Sequence, residues 1–323
     1  MPATITHAYF AQDVFEILPN GIKSKIKLNR IRMFGQSTDP FMFYNIMNLK
    51  KGKKVREFQK EFHTTKSRLY FINLINYIRD NNLYNDIDVS SFLYGFICHY
   101  VLDSTVHPYV IYKTGYFDKK KKETYIYNNI HSFMEAFIDN DMVKRREKVN
   151  PYYFRFDEFC FNLKPFSTSL NKTIDYSFNT TFDMNNGAKL YYTSLKHMKT
   201  FLNLFRRDPH GIKKNIYKTV DTFTSKRMFR LEAISYHYPL DDKHNFLNSN
   251  HSLWHNPVKY DLVSSESFIE LYLKSIKLAK KIIVEVDKYI RGEKVDLNNI
   301  FLNLNYLTGL DCDLNKEIRY FEF

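Results

Sequence analysis

The chain is poor in the residues that break helices or cross-link loops. Nine Gly and nine Pro punctuate 323 residues. So few breakers favour long helices over a many-turned β sandwich or barrel. Three cysteines, Cys98, Cys160 and Cys312, are too few and too scattered for a disulfide framework. No uncharged stretch is long enough to span a bilayer, and the longest apolar run, 91–102, is interrupted by His99. The opening residues MPATITH show no basic region followed by an apolar run, so no signal peptide is read there. The expectation is a soluble, cytoplasmic protein made without an export signal, or a mature form that has lost one.

What is present is aromatic and basic. Twenty-nine Phe and 25 Tyr lift the aromatic share to 17%, beside a single Trp. Forty-eight basic residues against 35 acidic ones leave a formal net charge of +13. That surplus suits anionic partners such as nucleic acid, an anionic membrane surface or phosphate esters, although lysines on solvated helix faces explain much of it equally well. The length allows one large core or two modest ones. With no internal repeat and no flexible linker, 1–323 reads as a single all-α domain.

Apolar spacing predicts helices over 7–18, 55–80, 125–146, 188–207 and 265–291. Ser90 is a plausible N-cap for another, which Pro108 should end. Residues 150–185, rich in aromatics and Asn, show no clear period, and 244–257 read as a loop. The second half, 150–323, is expected to be a helical remainder that shapes a cleft.

The chemistry concentrates in the first 140 residues. His99, Asp103 and His107 follow one another at steps of four. Such steps advance about 400° around a helix, so the three side chains share one face, each roughly 40° from the last. Apolar neighbours place that face inward, and a buried Asp between two imidazoles is most simply accommodated by a metal. His131 and Glu135 repeat the spacing between apolar flanks. Imidazole nitrogen and carboxylate oxygen both suit zinc. His7, Asp39 and His63 are three further candidate ligands, each on its own segment. Blander readings remain open: His63 alone fits a hydrogen-bonded core histidine, and His131 with Glu135 fits a surface ion pair. His244, His251 and His255 admit a separate metal site but read more simply as loop histidines, and Trp254 as a wall of the cleft.

The order His…Asp…His…His-x-x-x-Asp…His…His-x-x-x-Glu resembles the zinc-dependent phospholipase C family, whose all-helical fold is shared with fungal single-strand-specific zinc nucleases. It covers the chain to about Asp139, and the fragments Thr6-His7, 37–41 and 95–99 resemble bacterial members in particular. The resemblance implies that Asp39, His63, His99 and Asp103 hold one zinc, and that His107, His131 and Glu135 hold a second with positions open. Asp103 would bridge to a third zinc bound also by His7. In the family the third zinc is completed by an N-terminal Trp; here trimming of Met1 would offer the Pro2 main-chain amine instead. The interval from Asp103 to His107 is shorter than in the secreted enzymes, while those from Asp39 to His63 and from His107 to His131 are longer, which leaves two or three ions open.

The implied activity is phosphodiester hydrolysis, most simply of a phospholipid. Paired zinc ions make hydroxide available near neutral pH and neutralise charge on the phosphoryl oxygens. By the same resemblance Asp39 is the candidate general base. A single-strand nuclease or other phosphodiesterase is the alternative enzyme, and a non-catalytic zinc-containing helical binding protein is the alternative from another class.

Overall fold

The structure, a computed structural model, describes residues 4–48, 50–205, 208, 210–223, 231–232, 244–314 and 316–322. Among them the all-α expectation holds. The α-helices are α1 (Thr4–Ile17), α2 (Asn20–Lys23), α3 (Leu28–Phe34), α4 (Lys53–Thr64), α5 (Ser67–Asp80), α6 (Ile87–Thr114), α7 (Tyr125–Glu147), α8 (Phe156–Cys160), α9 (Thr168–Phe182), α10 (Gly187–Phe205), α11 (Ile212–Phe223), α12 (Phe268–Ile290) and α13 (Leu297–Ile300). One short antiparallel pair, Trp254–His255 with Val263–Ser264, interrupts what the sequence left as loop. No described helix is long and apolar enough to cross a membrane.

The centre is α6, buried along nearly its whole length and packed against α1, α3, α7 and α12. It begins earlier than Ser90, because Asp86 caps it by accepting the N–H groups of Asp88 and Val89. Nor does it stop at Pro108: it runs on to Thr114. Proline cannot donate to the Ser104 carbonyl one turn back. Gly309 packs close over that carbonyl, with a φ of +65° and so tight an approach that a Cβ would lie 2.5 Å from the oxygen. Dense packing on all sides holds the proline-containing helix together.

The single helix expected over 55–80 is two, α4 and α5. Thr65 is extended and Lys66 left-handed at φ 55°. The carbonyl of His63, which would accept from residue 67 in a continuous helix, accepts from the Tyr306 N–H at 2.8 Å. A residue 243 positions further along thus sets the break. The unreadable stretch 150–185 supplies α8 and α9, the latter capped by Ser167.

The aromatic surplus fills the core. Phe58, Phe62, Tyr70, Phe96, Phe178 and Tyr191 meet mostly edge-to-face or tilted, with ring centroids 4.7–6.3 Å apart. Such pairs contribute about 0.5–1.5 kcal/mol each beyond area burial. This packing binds α4, α5, α6, α9 and α10 into a rigid frame beneath the histidines.

Candidate metal centre

Five segments deliver the eight candidate side chains. His7 lies on α1, Asp39 opens a 3₁₀ turn (Asp39–Phe43), and His63 ends α4. The helical ladder His99, Asp103, His107 comes from α6, and His131 with Glu135 from α7. The structure brings all eight together as three groups that could each hold a cation: Asp39, His63, His99; His7, His99, Asp103; and His107, His131, Glu135. Pro2 lies outside the described residues.

Asp103 stands between the groups. Its Oδ1 is 3.2 Å from His7 Nε2, while Oδ2 is 3.0 Å from His99 Nε2, 3.3 Å from His107 Nδ1 and 3.6 Å from His63 Nε2. Asp39 Oδ1 lies 3.2 Å from His63 Nε2, and Glu135 Oε1 lies 3.0 Å from His131 Nε2. Asp39, His99 and Asp103 are at most 3% exposed. The side chains of His107 and His131 are the most accessible of the eight, at 10% and 17%.

Several rings are oriented from behind. His99 Nδ1 meets the Gly35 carbonyl at 3.0 Å, His63 Nδ1 the Gln59 carbonyl at 2.8 Å, and His131 Nδ1 the Thr114 hydroxyl at 3.2 Å. The Thr114 hydroxyl itself donates to Val110 O, so it accepts from the ring. When a ring is neutral with Nδ1 carrying the proton, its Nε2 lone pair turns inward. His63 Nε2 and His99 Nε2 face each other at 3.1 Å beside two carboxylates. Among the described residues Asp39 Oδ2, Asp103 Oδ2 and His107 Nδ1 are buried without a hydrogen-bond partner of acceptable geometry. The only ion-pair partners of Asp39 and Asp103 there are histidines. Inward-facing acceptors at such distances repel unless a cation or a proton lies between them. Nitrogen and carboxylate donors fit zinc.

The family model for zinc dependent phospholipase C matches residues 6–176, more than half of the chain. The chain belongs to the zinc-dependent phospholipase C family. The match passes beyond Asp139, where the motif resemblance ended, into α9. No curated protein and no solved structure matches this chain.

In this phospholipase C family member, a cation and protons compete for the same lone pairs. Burial opposes charge on His63, yet Asp103 and Asp39 beside it lift its pKa to about 9. Burial is likewise overcome at His107, where Asp103 and Glu135 raise the pKa to about 10. His99 goes the other way, lowered chiefly by burial. Burial would raise Glu135, but His131 and His107 help bring it down to about 2. Asp103 is pulled well below the usual carboxylate range, against its burial, by His107, His99 and His7.

Sequence reasoning missed the residues that hold this arrangement. Gln59 Nε2 donates to Asp39 Oδ1 at 2.9 Å; its spacing of four before His63 was the available signal. Asp139 extends the His131–Glu135 ladder by another step of four and accepts from the first turn of α1. Gly95 lets α3 press so close to α6 that a Cβ there would lie 2.6 Å from Phe34 Cβ, which brings Gly35 O onto His99. Tyr306 stacks edge-on against His63 at 4.9 Å, and nothing in its local sequence marks it. The remaining loop histidines do not gather. His251 Nδ1 contacts Ser265 O and Glu270, whereas His255 stacks on Tyr260 at 3.9 Å. Trp254 is buried against Tyr109 and donates to Glu266 O.

Proposed function

We propose that this chain is a zinc-dependent phosphodiester hydrolase that cleaves phospholipids in the manner of a phospholipase C. The observation that carries the reading is the position of Asp103, whose two oxygens reach toward three histidine–carboxylate groups at once. Zinc held by these groups would supply Lewis-acid activation of water and of phosphoryl oxygens near neutral pH.

The protein's own part is orientation and exclusion of water. Asp39, His63 and His99, with Asp103, form the deepest group, and Gln59 steadies Asp39 through Oδ1. Asp39 Oδ2, without a hydrogen-bond partner among the described residues, is positioned to receive a proton from the attacking water. His107, His131 and Glu135 form the most accessible group, which suits entry of the substrate phosphate from that end. His7, on α1, closes the far side of Asp103. Residues 150–323 belong to the same catalytic unit in this reading, since Tyr306 packs on His63 and Gly309 on Ser104.

The test is to incubate the zinc-loaded protein with mixed phospholipids, single-stranded DNA and RNA. Release of a phosphorylated headgroup supports the reading, and cleavage of nucleic acid alone selects the nuclease alternative, which the +13 charge also suits. Bound zinc without turnover of any diester favours a non-catalytic binding protein.

A further inference from the structure

The last turn of α6 is finished by a residue far along the chain. The final carbonyls of a helix have no partner within it. Here Tyr112 O accepts the Glu322 N–H at 2.8 Å. The Glu322 carboxylate pairs with the ammonium of Lys113, whose side chain is 7% exposed and has no other ion-pair partner among the described residues. One residue thus caps the helix end with its main chain and answers its buried charge with its side chain. A buried ammonium left without such a partner is strongly disfavoured.

The residues before Glu322 fix where it stands. The N–H groups of Arg319 and Tyr320 both donate to Pro257 O, at 2.8 and 3.1 Å. The Tyr320 ring meets Tyr260 at 5.2 Å; Tyr260 stacks on His255, whose ring lies 6.1 Å from that of Tyr112. Phe321 packs edge-on at 5.2 Å against Tyr127, in the first turn of α7. Tyr127 in turn lies against Gly115, the residue that follows α6. Residues 319–322 therefore bridge the end of α6 and the start of α7. Those two ends share one hydrogen bond of the metal centre: Thr114, next to Lys113, accepts from His131 Nδ1 at 3.2 Å.

We propose that Glu322 is a positioning residue for the zinc group of His107, His131 and Glu135, acting through Lys113 and the Thr114 hydroxyl. The proposal deepens the zinc-hydrolase reading and rests on it. His131 has the most accessible side chain of that group, and Thr114 is the one hydrogen-bond partner of its Nδ1 among the described residues. A hydroxyl behind a ligating imidazole fixes which nitrogen faces the metal and in what direction. Thr114 is also the last residue of α6, where helices fray first. The Gly115 N–H on Ile111 O closes that turn from within, while Glu322 and Phe321 hold it from outside.

The experiment is zinc titration of the full chain against a chromophoric chelator, with turnover of a soluble phosphodiester measured alongside. Thr114→Val, which removes the hydroxyl behind His131, should weaken one zinc about tenfold or more. Glu322→Gln, which keeps the shape of the side chain and strands the Lys113 ammonium, should weaken the same ion about threefold or more. The remaining zinc should be held as in the wild type. Combining the two substitutions should weaken zinc no further than Thr114→Val alone, because Glu322 acts through that hydroxyl. Adding Lys113→Met to Glu322→Gln removes the stranded charge and should restore zinc binding. Wild-type zinc affinity in Glu322→Gln overturns the proposal, as do losses that add in the double variant, which a merely structural contact would give. These zinc results without turnover of any diester keep the positioning role and remove the hydrolase reading; turnover by the wild type with unchanged zinc in Glu322→Gln does the reverse.

Discussion

The carboxylate of Asp139 accepts both the backbone N–H and the hydroxyl of Thr6 at 2.8 Å, across 133 positions of sequence. Its other oxygen accepts the Ile5 N–H at 3.1 Å. One residue of α7 therefore anchors the open first turn of α1, directly ahead of His7, while His131 and Glu135 stand two turns and one turn before it on the same helix. The first N–H groups of a helix have no partner within it, and an anion there also meets the favourable end of its dipole.

Replacing Asp139 with Ala should strand those donors in a fully buried place, at about 1–3 kcal/mol for each one left unsatisfied. The first turn of α1 then loosens, and the group containing His7 is the one affected. Elemental analysis should show zinc content falling by about one ion per chain with helical content retained. Undiminished zinc in a folded variant contradicts this role.

Gly95 is a contact point where any side chain would intrude. In Gly95→Ala the new methyl meets Phe34 at 2.6 Å, so α3 must move and carry Gly35 O away from His99. Overpacking of this kind costs about 1–3 kcal/mol. A lower thermal midpoint should accompany weaker zinc binding, both measurable by calorimetry.

Asp39→Asn keeps the shape of the side chain and removes its basicity. Turnover should fall about a hundredfold or more, with KM little changed. Gln59→Leu, which removes the N–H at Asp39 Oδ1, should give a smaller loss in the same direction. A pure KM effect for Asp39→Asn excludes it as the base.

Linkage gives the pH dependence its sign. His63 and His107 have folded pKa values of about 9 and 10, above the ordinary 6.5. Their contribution to the stability of the metal-free protein is complete below 6.5 and is lost as pH rises through 9 to 10. Glu135, lowered from 4.5 to about 2, contributes above 4.5 and loses that contribution as pH falls toward 2. The metal-free thermal midpoint should accordingly decline from pH 6.5 to 10, and the zinc-loaded midpoint should decline less. Zinc binding at pH 7 should release about two protons, seen as a dependence of binding heat on buffer ionisation enthalpy. No proton release contradicts the charge state assigned to these rings.

The legible parts of this molecule are those written in local periodicity. The step of four from His99 to His107 survives folding because one helix carries all three residues, and α7 does the same for His131 and Glu135. The continuation of α6 past Pro108 and the break after α4 escape the sequence for a different reason. Gly309 packs against the Ser104 carbonyl that Pro108 leaves without its N–H, and α4 ends where Tyr306 takes the carbonyl of His63. Both partners lie some two hundred residues away or more, and no window of sequence contains them. The same holds for Asp139, whose role exists only once α1 and α7 are side by side.

The most direct measurement is anomalous diffraction at the zinc edge from crystals of the zinc-loaded protein. The account predicts peaks among Asp39, His63 and His99 and among His107, His131 and Glu135, each within coordination distance of its group, with Asp103 between them. Zinc bound elsewhere on the surface, with these buried groups empty, would contradict it.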